Sequence, residues 1–172
     1  IRQPRTQTDE ASGQLLGAAE IRHIAADLGI TPTKRLGQNF VIDPGTVRKI
    51  VRAAGVRPRD HVLEIGPGLG SLTLALLQTG ASVTAVRIDT KLADRLPRTV
   101  SEHLPSAAGR LTVINQDALS LTPENVPADL AAEPFILVAN LPYNVATPII
   151  LTLLERFENL QSLLVMVQKE VA

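Results

Sequence analysis

Short apolar runs alternate with helix-like stretches from residue 61 onwards, and this alternation limits the possible folds more than any other feature. The runs at 61–65, 82–86, 111–115, 135–139 and 160–167 have strand length and are largely apolar on both faces. Such strands belong inside a parallel sheet with helices packed on both sides. The stretches at 71–78, about 90–103 and 147–157 read as helices between them, Gly80 closing the first. Right-handed crossovers then fix the topology of a parallel, doubly wound α/β sheet. Upstream, residues 15–28 carry Leu16, Ile21, Ile24 and Leu28 at helical spacing, with Gly29 as the stop. Asp43 and Pro44 read as an N-cap and first helical residue, opening a helix that runs to about Ala54 and stops at Gly55. Residues 1–13 are polar and aperiodic, so a flexible tail is expected there and a single domain over 14–172.

Composition closes off several chemistries. There is no cysteine, which excludes disulfides, thiolate zinc sites and a cysteine nucleophile. His23, His61 and His103 lack ligand-like spacing, so no metal is expected. Aromatic residues make up 2% of the chain, and the core must therefore be aliphatic. The sequence has neither a run of about 18 apolar residues nor a signal-peptide pattern; a cytoplasmic protein without membrane association is expected. The net charge is zero but uneven: ten Lys/Arg face six Asp/Glu in residues 1–60, and seven face eleven thereafter. The N-terminal third is thus the better surface for an anionic partner, the alternative being a solvated helix face. The chain begins at Ile1 and ends at Ala172 inside an apolar-to-charged run, and it reads as a fragment.

Between the first strand and the next helix lies Val62-Leu-Glu64-Ile-Gly66-Pro-Gly68-Leu-Gly70-Ser71. Glycines at such a junction permit a tight turn and close backbone approach to a ligand, and the helix N-terminus adds a positive dipole end. A dinucleotide fingerprint would need glycine at 71, where this chain has serine. The pattern ExGxGxG is instead typical of S-adenosylmethionine (SAM)-dependent methyltransferases.

Ligands of doubly wound sheets lie beyond the carboxyl ends of the strands. There the sequence offers Arg87-Ile88-Asp89, Gln116-Asp117-Ala118-Leu119 and Asn140-Leu141-Pro142-Tyr143-Asn144. Asp117 could accept a hydrogen bond from an exocyclic amine, although an Asp at a strand end also serves as a turn or cap residue. The Asn140–Tyr143 segment carries the richest chemistry. Methylating an aromatic amine requires its lone pair to be freed from the ring, and acceptors on the amine hydrogens do this. An Asn oxygen and a strand-end carbonyl are suitable acceptors. Pro142 stiffens the turn, and Tyr143 can stack on a base. No strong general base is needed, because the nitrogen can attack first and lose its proton to water.

Four blocks, in this order, resemble the bacterial small-subunit rRNA adenine N6,N6-dimethyltransferase family. They are Lys34-Arg-Leu-Gly-Gln-Asn-Phe-Val41, the loop from Glu64 to Gly70, Asp117-Ala118-Leu119, and Asn140-Leu-Pro-Tyr-Asn144 with Thr147-Pro148. The resemblance implies a Rossmann-like class I SAM-dependent methyltransferase fold, truncated here before its last strands and lacking a C-terminal helical domain. It implies S-adenosyl-L-methionine as cofactor, contacted by Gln38, Asn39, Val41, Gly66, Gly68, Arg87, Asp117, Ala118 and Asn140. Asn140, Leu141, Pro142 and Tyr143 would form the catalytic segment. The implied substrate is a pair of adjacent adenines in a small-subunit (16S) rRNA hairpin loop within an immature small ribosomal subunit, flipped out for reaction. Lys34, Arg35, Arg48, Lys49 and Arg52 could contact phosphates, and a monomer is expected.

One position departs from the family pattern. Where the family usually carries a Glu that accepts the ribose hydroxyls of SAM, this chain has Arg87, which has no acceptor. Weakened SAM binding follows as an expectation, unless Asp89 substitutes. Large-subunit rRNA methylation and a non-catalytic RNA-binding or ribosome-assembly role are the competing readings. Ser71 and the Asn140–Tyr143 segment argue against a small-molecule methyltransferase or dehydrogenase.

Overall fold

The computed structural model describes residues 18–29, 43–66 and 68–168. Two helices lead in: α1 (Ala18–Asp27) and α2 (Pro44–Ala54). Asp43 caps α2, its Oδ1 accepting from the Thr46 amide at 3.0 Å and its Oδ2 from the Thr46 hydroxyl at 2.5 Å. Gly55 ends the helix at a φ of 68°, a left-handed conformation that glycine adopts without steric cost.

The strands are β1 (His61–Ile65), β2 (Ser82–Val86), β3 (Leu111–Ile114), β4 (Phe135–Pro142) and β5 (Leu160–Gln168). Between them run α3 (Ser71–Gln78), α4 (Thr90–His103), α5 (Ala128–Ala132) and α6 (Tyr143–Arg156). Among the described residues the sheet order is β3-β2-β1-β4-β5, and every neighbouring pair is parallel. The chain therefore steps outward from β1 in one direction, then returns to the other side of β1 with β4. That reversal opens a crevice at the carboxyl ends of β1 and β4. None of the described helices is long and apolar enough to cross a membrane.

Alternation along the strands assigns each side chain to one of two cores. Val62, Val83, Ala85, Ile136 and Val138 face α1–α4. Leu63, Ile65, Val86, Phe135, Leu137, Ala139 and Leu141 face α6. Phe135 and Phe157 meet edge to face in the second core, with centroids 5.6 Å apart. Helix α3 is buried at every position from Ser71 to Leu77. It follows the glycine loop directly, so the loop is anchored to one of the most deeply packed elements.

The structure extends the sequence reading in three places. β4 runs to Pro142, beyond the expected end at residue 139, because Asn140, Leu141 and Pro142 keep pairing with Met166, Val167 and Gln168. A polar residue followed closely by proline looks like a turn, but beyond Ala139 β4 pairs with β5 alone, as an edge strand that tolerates proline does. Helix α6 starts at Tyr143 and not at 147, with Pro148 inside it. Thr147-Pro148 imitates a helix start in sequence, as proline favours a first turn. Helix α5 and the 3-10 turns Pro105–Arg110, Ala118–Ser120 and Pro123–Asn125 lacked any periodic signal because they are so short.

Candidate active site

A cavity of about 390 Å³ opens at the carboxyl ends of the strands, large enough for a nucleoside-sized ligand. Its walls include Ile65, Gly66, Val86, Ile88, Asp89, Asp117, Ala118, Leu119, Leu141, Pro142 and Val145. Ile88 is 71% exposed, and Leu119 and Val145 are also exposed. Apolar side chains left open around a crevice form a slot for a flat apolar ring. Sequence reasoning had marked the polar residues after each strand; the apolar walls alternate with them and were readable from the same segments.

The two acids in the cavity wall also cap helical turns. Asp89 Oδ1 accepts from the amides of Lys91 at 2.8 Å and Leu92 at 3.2 Å. Asp117 Oδ1 accepts from the Leu119 amide at 3.0 Å. Among the described residues the second oxygen of each carries no hydrogen bond, leaving an acceptor for a ligand. Asn115 fixes the first turn, its Nδ2 donating to the carbonyls of Arg87 at 2.9 Å and Ile88 at 3.1 Å. Arg156 fixes the second, its Nη1 donating to the carbonyls of Leu119 at 2.5 Å and Leu121 at 3.0 Å.

A smaller recess adjoins the cavity, lined by Glu64, Gly66, Gly68, Ser71 and Asn140. Here α3 begins behind Gly70, which provides no side-chain cap. The Ser71 hydroxyl is buried with no partner among the described residues. Uncapped amides and an orphan hydroxyl suit an anionic or polar head group. At Gly66 a Cβ would come within 2.6 Å of the Asn140 carbonyl oxygen, and φ is 152°. The glycine thus lets the loop pass against the end of β4.

Asn140 is 6% exposed and borders this recess. Among the described residues no hydrogen bond engages its carboxamide. Tyr143, 71% exposed, starts α6 three residues on. Leu141 and Pro142 line the cavity between them. An uncommitted amide acceptor, an adjacent strand end and an exposed ring can hold and stack an aromatic amine. Among the described residues no cluster of His, Asp or Glu could hold a metal ion. Gln38, Asn39 and Val41, like Lys34 and Arg35, lie outside the described residues.

Arg87 borders the cavity, but its side chain is engaged away from it. It follows Val83 and Ala85 by strand alternation, so its side chain turns toward α3 and is 1% exposed. Its Nη2 donates to Glu64 Oε2 at 3.0 Å and to Thr73 Oγ1 at 3.2 Å. Nη1 donates to the Val86 carbonyl at 3.1 Å and Nε to the Gly68 carbonyl at 3.2 Å. The Thr73 hydroxyl donates to Glu64 Oε1, closing a buried ring of three side chains. Glu64, expected as part of a ligand loop, is a structural tie here. Its partner Thr73 was not recognised from sequence, where it reads only as a polar residue in an apolar helix. The residues therefore fit the base and amino-acid ends of SAM, whereas the position expected for the ribose acceptor holds an engaged donor.

The chain is similar to known proteins over most of its length. The profile described as "Ribosomal RNA adenine dimethylase" matches residues 31–172. Ribosomal RNA small subunit methyltransferase A of Bifidobacterium longum subsp. infantis is 71% identical over 165 residues, covering 96% of this chain and 54% of that protein. The chain thus spans about half the length of the curated relatives it matches. Among solved structures, the 23S rRNA methyltransferase ErmE aligns with a TM-score of 0.62 and 32% identity, covering 76% of this chain and 48% of that one. A dimethyladenosine transferase from Plasmodium falciparum aligns with a TM-score of 0.61 and 29% identity, covering 75% and 43%. The parallel sheet is that of the Rossmann-like class I SAM-dependent methyltransferases. With a matching profile over most of its length and relatives this similar, the chain belongs to the ribosomal RNA adenine dimethylase family.

Proposed function

We propose that this domain, residues 14–172, transfers methyl groups from S-adenosyl-L-methionine to N6 of two adjacent adenosines in a small-subunit rRNA hairpin loop. The immature small ribosomal subunit in the cytoplasm is its partner, and the chain acts as a monomer. The observation that carries this reading is the Asn140 carboxamide, without a hydrogen bond among the described residues, beside Gly66 at the end of β4. The small-subunit reading is preferred because relatives bearing that name reach 71% identity, against 32% for the large-subunit enzyme structure.

Each step then falls to a residue of this chain. The apolar slot of Ile88, Ala118 and Leu119 holds the cofactor's base, and the free oxygen of Asp117 accepts from its exocyclic amine. Ser71 and the first amides of α3 receive the amino-acid end. Bound there, the cofactor supplies an electrophilic methyl group. Tyr143 stacks on the flipped adenine, while the Asn140 oxygen and the Leu141 carbonyl bind the two amine hydrogens. Those bonds localise the lone pair on nitrogen for attack. The proton then passes to water; in the second transfer one amine hydrogen remains, and one of the two acceptors holds it.

The test incubates the chain with SAM and a small-subunit rRNA hairpin and reads N6-methylated adenine by mass spectrometry. Asn140→Ala is expected to lower methylation roughly a hundredfold without changing the unfolding midpoint. Tyr143→Ala is expected to raise the RNA concentration needed and to leave SAM binding intact. Full methylation by the Asn140→Ala protein refutes the assignment.

A further inference from the structure

We propose that Arg87 is a built-in clamp on the glycine loop, and that the pocket consequently selects its nucleoside without reading the ribose hydroxyls through position 87. The inference rests on the SAM-site reading above and deepens it.

Four features carry the argument. First, a guanidinium has five N–H donors, and four contacts to Glu64, Thr73, Val86 and Gly68 engage Arg87. They join β1, β2, α3 and the loop, so one side chain ties together the elements on the α3 side of the recess. Second, the ring is sealed. Arg87 is 1% exposed and Glu64 2%, and both Glu64 oxygens are bonded. A satisfied buried network is rigid, and withdrawing one member leaves an unpaired charge in the core.

Third, the bond to Gly68 acts on the loop itself. Gly68 borders the recess at the start of α3, and its carbonyl is held from beneath by Arg87 Nε. The loop is therefore fixed before any ligand arrives. Fourth, in Rossmann-type sites an acid after the second strand takes the ribose hydroxyls. Here that place belongs to a donor turned toward α3. The ligand contacts that remain are the apolar slot, Asp89, Asp117 and the Ser71 recess, of which the slot, Asp117 and the recess recognise the base and the amino-acid end.

Two measurements test this on the same proteins: the wild-type chain, Arg87→Lys and Arg87→Glu. Lysine keeps a cation beside Glu64, but its single ammonium cannot also serve Gly68 and Val86. Hydrogen–deuterium exchange of the ligand-free chain reads the clamp. Amides of Gly68, Leu69 and Gly70 are expected to exchange roughly tenfold faster in Arg87→Lys, with the unfolding midpoint nearly kept. Unchanged exchange overturns the clamp.

Calorimetric titration with S-adenosylhomocysteine and its 2′-deoxy analogue reads selection. The wild-type chain is expected to bind both within about threefold, and Arg87→Glu to prefer the hydroxylated ligand by roughly tenfold or more. A tenfold preference in the wild-type chain overturns the selection, and assigns the ribose to another acceptor such as Asp89. Binding by Arg87→Glu alone also overturns it, since Arg87 then closes the site. If no protein binds either ligand, the SAM reading and the selection fall together, and exchange still decides the clamp.

Discussion

Alanine at Gly66 and alanine at Gly68 are expected to act in opposite ways, although the two glycines are two residues apart in one loop. At Gly66 the new Cβ would lie 2.6 Å from the Asn140 carbonyl oxygen. That oxygen is backbone, in a strand whose residue pairs with Met166 and whose preceding residue pairs with Ile65, so it cannot swing aside. The φ of 152° adds strain for any residue with a side chain. Backbone strain of about 1–3 kcal/mol and overpacking of about 1–3 kcal/mol together give roughly 2–6 kcal/mol. With a urea dependence near 2 kcal/mol per molar, the midpoint should fall by about 1–3 M. At Gly68 a Cβ meets nothing within 4 Å. Gly68→Ala should therefore leave the midpoint within about 0.3 M while weakening S-adenosylhomocysteine binding, because it fills space beside the Ser71 recess. Urea unfolding and calorimetry on the two variants decide the matter. A Gly66→Ala midpoint equal to that of the wild-type chain would refute the close approach of loop and strand.

The remaining expectations concern supports of the site and charge. Arg156→Ala releases the carbonyls of Leu119 and Leu121; nucleoside affinity by titration should drop roughly three- to tenfold while helix content by circular dichroism is kept. Asp27 accepts from Arg95 Nη1 at 2.7 Å, and this hydrogen bond holds its carboxyl below the ordinary value of 3.8. Its folded pKa is lowered, so the contribution is full above 3.8 and disappears as pH falls through the folded value; Asp27→Asn should flatten that acid limb of the stability curve. The Thr46 bonds likewise hold Asp43 below 3.8. Asp43→Ala should lower the urea midpoint at pH 7, and the gap should close in acid below that value.

The sequence was most legible where periodicity ran long enough to count. All five strands and the buried α3 follow from apolar runs, and the Asp43–Pro44 start of α2 follows from capping chemistry. Legibility failed where one residue type serves two structures. Asn140-Leu-Pro reads as a turn but extends β4, because pairing with β5 outweighs the local preference. Pro148 reads as a helix start but lies inside α6. Within the site, the polar residues were identified by their place after each strand, whereas the fate of Arg87 was not. Strand alternation directs it to the α3 side, but that it meets Glu64 and Thr73 depends on three elements packing together. The family pattern marks Arg87 as a lost acceptor; the structure shows that the same side chain gained a structural task.

The burial of α3 has a consequence for the rates of ligand traffic. A helix enclosed on all sides separates from its neighbours only when the whole domain unfolds, which is far slower than any binding event. The wall of the cavity that it anchors is therefore stationary on the timescale of a ligand's visit. The facing wall is built from exposed side chains, Ile88 and Leu119, on short turns held by Asn115 and Arg156. Turns of that kind fluctuate in nanoseconds to microseconds. Entry and departure must then follow the facing wall, so substitutions at Asn115 and Arg156 should alter association and dissociation rates together, whereas conservative ones on α3 beyond Ser71 and Thr73 should leave both rates alone.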